Sequence, residues 1–400
     1  MTTAPLSPTP SSPQRLASLD AYRGLVMFLL MAEVLRFGSV AEAFPESGFW
    51  AFLDWHQSHV AWVGCSLHDM IQPSFSFIVG VALPFSIAAR MAKGQSRTRL
   101  SIHAFWRALL LILLGVFLRS TGQEITKWTF EDTLSQIGLG YGFLFLIGFG
   151  SMRVQWGALA TILVGYWLAF ALYPLPGTDF DWASIGITAA YEHNLSGFAA
   201  HWNLNTNFAW AFDTWFMNLF PRETPFLFNR GGYSTLSFIP TLGTMILGLI
   251  AGEVLRSDKT PKYKVQWLVI AGIACLFLGW LLGALGICPV VKKIWTPSWV
   301  LFSGGWCILL LAAFYAIIDM ANVKGWTFPL TVIGMNSIAA YFITEMLRGF
   351  VGDNIKTHLG QNFFAFAGAG YEPLFHGMAT LLVMWLMLFW MYRRKIFLRI

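Results

Sequence analysis

Charge is what this chain has least of. Asp, Glu, Lys and Arg make up 12% of its 400 residues against 56% hydrophobic residues, and the mean hydropathy is +0.59. That balance excludes an ordinary soluble globular protein. Cysteine is also sparse: Cys65, Cys275, Cys288 and Cys307 show neither CxxC nor Cys/His ligand spacing. Neither a disulfide framework nor a metal site is supported, and the four read as small packing residues. No Gly-rich phosphate loop is present, since the glycine runs at 138–142 and 242–252 lie inside apolar stretches, where they permit close helix contact. No internal repeat is visible, which speaks against a transporter built from two related halves. The first fourteen residues, MTTAPLSPTPSSPQ, lack an apolar core. They read as part of a disordered cytoplasmic tail over 1–18, not as a signal peptide.

What is present in abundance is apolar and aromatic, with 36 Phe and 19 Trp. Ten apolar segments are long enough to cross a bilayer as helices, at about 21–38, 67–89, 104–120, 134–150, 154–173, 234–254, 265–286, 299–320, 327–350 and 373–392. The fold class is therefore all-α, a polytopic helical membrane protein with a single transmembrane domain over 19–400. Basic residues gather in alternate connections: Arg90, Lys93, Arg97 and Arg99 in one, Arg256, Lys259, Lys262 and Lys264 in another, and Arg393, Arg394 and Lys395 after the last span. By the positive-inside rule these face the cytoplasm together with both termini. The formal net charge of +6 thus reads as topology, and no nucleic-acid partner is expected. The loop at 39–66 and the connection at 174–233 fall on the outer face, where the second is expected to form a cap. Its aromatic residues suit sugar stacking or interfacial anchoring equally.

Polar residues inside apolar spans are costly and mark functional sites by default. Asp20 and Arg23, three apart in the first span, suit either a helix cap with a snorkelling anchor or the binding of an anionic cofactor. Glu33 and Arg36 repeat that spacing deeper in, and the Glu33 carboxylate is expected to face the interior, neutralised by Arg36 or another partner. In the second span Asp69, Gln72 and Ser76 form a stripe at i, i+3 and i+7, and Pro73 is expected to bend the entry. His59, in the loop just before with Trp62, is expected to stay hydrated. It suits a general base, although a lone loop histidine is more often an ordinary surface residue. The ninth span carries Asn336, Ser337, Tyr341, Glu345 and Arg348, and before the eighth Lys292 and Lys293 lie on the outer side. Those lysines suit an anionic ligand group or lipid headgroups.

Four separated motifs, SLDAYRGLVMFLLM, HVAW-x-GCSLHDMIQPSFSFIVG, KKIWTPSWVLFSGGW and GMNSIAAYFITEML, resemble the heparan-α-glucosaminide N-acetyltransferase family across nearly the whole chain. The resemblance implies a multi-span enzyme that uses cytoplasmic acetyl-CoA to acetylate a terminal amino sugar on the other side. It implies that His59 is the catalytic histidine, followed by Trp62, Gly64 and Asp69. The family's assisting Asn in the first span has no match here, Glu33 and Val34 lying nearest. Without a long amino-terminal region the chain resembles the bacterial-type members, which implies an acceptor other than heparan.

The expected function is accordingly acyl transfer in the cell (inner) membrane, from acetyl-CoA to an amine or hydroxyl of a sugar-containing acceptor. Direct transfer and an acetyl-histidine intermediate are both open. The expected catalytic residues are His59, Asp69 and Glu33, and the expected binding residues are Asp20, Arg23, Trp62, Gln72, Lys293, Trp295, Asn336 and Glu345. Membrane lipid, acetyl-CoA and the acceptor are the expected partners, and a homodimer is open. The alternative is a secondary transporter for a small polar solute.

Overall fold

The computed structural model describes residues 16–188 and 190–398, so most of the expected tail over 1–18 lies outside the described residues. Fourteen α-helices follow in order: α1 Ala17–Met31, α2 Phe37–Ala43, α3 Gly48–Gln57, α4 Ile71–Met91, α5 Arg97–Ser120, α6 Thr133–Ile147, α7 Met152–Ala171, α8 Phe208–Phe216, α9 Phe238–Arg256, α10 Pro261–Ala284, α11 Pro297–Phe314, α12 Phe328–Gly334, α13 Ser337–Leu359 and α14 Glu372–Arg393. Among the described residues there is no β-strand, only one isolated bridge between Val63 and Val291. The architecture is all-α, as composition implies.

Each of the ten apolar segments falls on a helix, but fewer than ten are simple spans. Eight helices are long and apolar enough to cross a membrane, or nine if one bent pair counts as a span. The bent pair is α12 with α13, which diverge by 68° after Gly334, so the ninth segment is broken where it was expected to be continuous. Helix α6 has 15 residues, roughly 22 Å at the helical rise, short of a hydrocarbon core of about 30 Å.

Helix starts are written locally. Asp132 Oδ1 accepts from the N–H groups of Leu134 and Ser135 to cap α6, and Thr296 caps α11 ahead of Pro297. Pro73 is the third residue of α4, in its first turn, where the missing N–H has no intrahelical partner to lose.

Glycine sets the closest helix contacts. A Cβ on Gly80 of α4 would overlap the carbonyl oxygen of Met245, and one on Gly248 of α9 would overlap that of Phe77. The two helices therefore touch backbone to backbone through reciprocal glycines. The same reciprocity joins α1 to α12, where Gly24 meets Leu330 and Gly334 meets Asp20. Around the α4–α9 contact lies the main core, drawn from α1, α4, α5, α6, α9 and α11.

A second core lies at the end of the bundle that bears His59. Trp62, Tyr166, Phe170, Trp202, Leu236, Cys288 and Val291 pack together there. The 174–233 connection supplies Trp202 and Leu204 to it through short 3-10 turns and α8. The opposite end holds Asp20, whose helix is capped by the Asp319 carboxylate at the N–H groups of Ala17 and Ser18.

Candidate active site

Two loops meet to build the site. The segment after α3 and the segment after α10 are joined by the Val63–Val291 bridge and by the Gly64 N–H donating to the Val290 carbonyl at 3.0 Å. Gly64 has φ 126, a backbone conformation other residues rarely adopt. This junction sets Lys292 beside His59 and Asp69, although 233 residues separate Lys292 from the histidine.

Asp69 is 1% exposed and is surrounded by donors. Its Oδ2 accepts from the N–H groups of Val60 (3.3 Å) and Ser66 (3.0 Å) and from Ser66 Oγ (3.1 Å). Its Oδ1 meets His59 Nδ1 at 2.7 Å and the Lys292 ammonium at 3.3 Å. Five donors on one carboxylate leave it an acceptor only. The imidazole must then carry its proton on Nδ1, which frees Nε2 as a base. Lys292 Nζ also lies 3.2 Å from His59 Nδ1; with that nitrogen committed to Asp69, the two are donors crowded round one oxygen. Burial lowers the Lys292 ammonium from its ordinary range, opposed by the Asp69 charge.

The His59 side chain is 40% exposed and opens on a cavity of about 410 Å³. Glu33, His68, Gln72, Arg119, Glu131, Asp132, Asn229, Tyr233, Tyr341 and Glu345 also line it. Glu33 does not reach His59. It pairs with Arg348 at 2.8 Å and with His68 at 3.4 Å, and the His68 ring lies tilted 4.5 Å from that of His59. Of the two expected routes to neutralising Glu33, it is the other partner, Arg348, and not Arg36 that does so, because α1 ends at Met31, a 3-10 turn follows, and Arg36 is left-handed with φ 50.

The structure brings together His59, Asp69, Glu33, Gln72 and Glu345, and it separates the rest. Trp62 is buried behind the site, donating from its indole to the Trp202 carbonyl at 3.0 Å. Lys293 turns away from His59, donating to the Ala61 carbonyl at 2.8 Å while lying over the Tyr233 ring. Trp295 is a core residue whose indole donates to Thr244 Oγ1. Asp20 pairs with Arg23 at 3.5 Å at the far end of α1, roughly 16 Å from Met31 at the helical rise. Asn336 is also remote: it receives the Leu398 N–H and donates to the Ile396 carbonyl, clipping the C-terminal segment where the ninth span breaks.

Several cavity residues were not singled out from sequence. Lys292 was read only jointly with Lys293, because two adjacent lysines in a loop carry no sign of which one turns inward. Arg119, Glu131, Asp132, Asn229 and Tyr233 sit at span edges, where polar residues look like ordinary boundaries. The one usable signal was the acidic pair Glu131–Asp132 directly before an apolar run.

Tyr233 is held by a turn whose carboxylate anchor is Asp213, which accepts the Thr235 N–H at 2.9 Å. Burial pushes the Asp213 carboxyl up to about 7 from 3.8. A raised carboxyl binds its proton more tightly in the folded protein, so stability falls as pH climbs from 3.8 through 7 and levels off above. The loss is on the order of 4 kcal/mol. Melting curves in detergent should therefore show a lower midpoint at pH 8 than at pH 5, and Asp213→Asn should flatten that difference. An unchanged pH dependence in the variant would refute this assignment.

Fold and site define a polytopic helical membrane protein with a carboxylate-oriented histidine opening on a polar cavity. The chain is similar to the heparan-alpha-glucosaminide N-acetyltransferases of mouse, at 24% identity over 408 residues, and human, at 24% over 438 residues. The matches cover 89% and 97% of this chain but 58% and 60% of those proteins, so it spans about three-fifths of their length. No protein-family model matches the chain.

Proposed function

We propose that this protein is a membrane acyltransferase that moves the acetyl group of acetyl-CoA to the amine of a sugar-containing acceptor. The observation that carries the reading is His59, tied at Nδ1 to Asp69 and presenting Nε2 to the 410 Å³ cavity. A base so oriented can take the proton of an attacking nucleophile and return it to the departing thiolate. The names of the two relatives supply the acyl group and the amine. The cavity supports the amine over a hydroxyl: Glu131, Asp132 and Glu345 line it without an ion-pair partner among the described residues, and they complement a cationic acceptor. In this reading acetyl-CoA arrives from the side bearing the basic loops, with both termini cytoplasmic in the inner membrane, and the acceptor arrives from the other side.

The purified protein, reconstituted in nanodiscs with acetyl-CoA and a hexosamine, is expected to release free CoA and yield the N-acetylated sugar in equal amounts. Solute uptake into liposomes with no CoA release would instead establish the transporter alternative.

A further inference from the structure

Acetylation of an amine at neutral pH requires two proton removals, and His59 can serve only one. An aliphatic amine arrives as an ammonium without a lone pair. If His59 took that first proton it would become an imidazolium, unable to accept the second as the carbon–nitrogen bond forms. A second base must stand in the same cavity.

Glu131 has the placement. It lies in the segment leading into α6, lines the cavity that His59 opens on, and has no ion-pair partner among the described residues. Its neighbour Asp132 is 4% exposed and uses Oδ1 to cap α6, while its Oδ2 is buried against Gly115 of α5. Of the two, Glu131 is the less buried and is the carboxylate left for a donor arriving in the cavity. Of the other carboxylates at the cavity, Asp69 is filled by its donors, Glu33 is held by Arg348 and His68, and Glu345 lies in the field of the same Arg348.

We propose that Glu131 receives the acceptor ammonium and takes its first proton, leaving His59 free for the second. The assignment rests on the transferase reading above. Glu131 accepts one proton from R–NH3+, giving a free amine and a neutral carboxyl. The amine lone pair attacks the thioester carbonyl carbon, and the N–H proton passes to His59 Nε2. The carbon–sulfur bond breaks with its electron pair on sulfur, which takes the proton from His59 to leave as CoA thiol. Glu131 then returns its proton to water, so that one proton is released per acetyl group transferred. Burial raises the Glu131 carboxyl above its usual range, which suits a proton acceptor that must also let go. Arg119 on α5 and Lys127 oppose that rise and Asp132 adds to it. Asp213, Arg222 and Tyr233 also lie within the field of Glu131.

The test compares two acceptors of one shape, a hexosamine, protonated at pH 7, and an aminooxy sugar, unprotonated there. Glu131→Gln should lose about 10²-fold in kcat/KM with the hexosamine at pH 7. It should recover as pH rises past the acceptor's own pKa and stay near wild type with the aminooxy sugar. A loss of equal size with both acceptors, or no loss, overturns the assignment. If the variant does not fold, the wild type decides: a hexosamine rate that merely tracks the free-amine fraction below pH 7 overturns it, and a rate above that fraction supports it. A wild type that acetylates neither acceptor refutes the transferase reading itself, a separate result.

Discussion

His59→Ala is expected to lower acetyl transfer by about 10³-fold, within the range that loss of a general base produces, while leaving acetyl-CoA binding and thermal stability close to wild type. The separation follows from exposure and bonding. The imidazole is 40% exposed and donates to Asp69, which keeps Lys292, Val60 and Ser66 as donors after the ring is gone. Little packing is lost and no buried charge is stranded. Free CoA release gives the rate, and the rise in melting temperature with acetyl-CoA gives binding. Imidazole in the buffer should restore part of the rate by filling the vacated space. A variant that turns over at the native rate removes His59 from the mechanism.

Asp69→Asn should damage both rate and stability. An amide in place of the carboxylate offers an N–H₂ group where acceptors are needed, so His59 loses the partner that fixes its proton on Nδ1. Losses of about 10⁴-fold accompany the equivalent change in a serine-protease triad. The Lys292 ammonium, 5% exposed as a residue, would be left without a counter-charge at a cost of roughly 3–5 kcal/mol. The two effects can be parted. Adding Lys292→Met removes the stranded charge, so the double variant should recover much of the melting temperature while its turnover stays low. If Lys292→Met did not offset the stability loss in the Asp69→Asn background, the ion pair would not be what holds these loops together.

The membrane class and helix positions were legible because hydropathy acts over twenty residues at a time, and each of the ten apolar segments does form a helix. His59 and Asp69 were legible through the motif they share with the resembled family, only ten residues apart. What could not be read depends on where backbones turn. The helix stop at Met31 swings Arg36 away from Glu33 and delivers Glu33 to Arg348, 315 residues later. Asn336 stands at the start of α13, roughly 13 Å of helix before Glu345, where it holds the C-terminal segment instead of the cavity. The inward lysine was decided by the hydrogen bond of Lys293 to Ala61, a contact across two loops that no spacing in either loop encodes.

The pairing of Asp69 with Lys292 also orders events during synthesis. The carboxylate enters the membrane region with the second apolar segment, while its ammonium partner is added more than 220 residues later, after seven of the ten segments have been made. Until then Asp69 has only the donors of its own loop, and the cost of an uncompensated charge in hydrocarbon keeps that loop at the water interface. The reaction centre therefore closes late, when the connection before α11 emerges and docks through Val291. A chain truncated before that point would have a histidine and a carboxylate but no assembled site, so activity itself reports that the last third of the bundle has inserted.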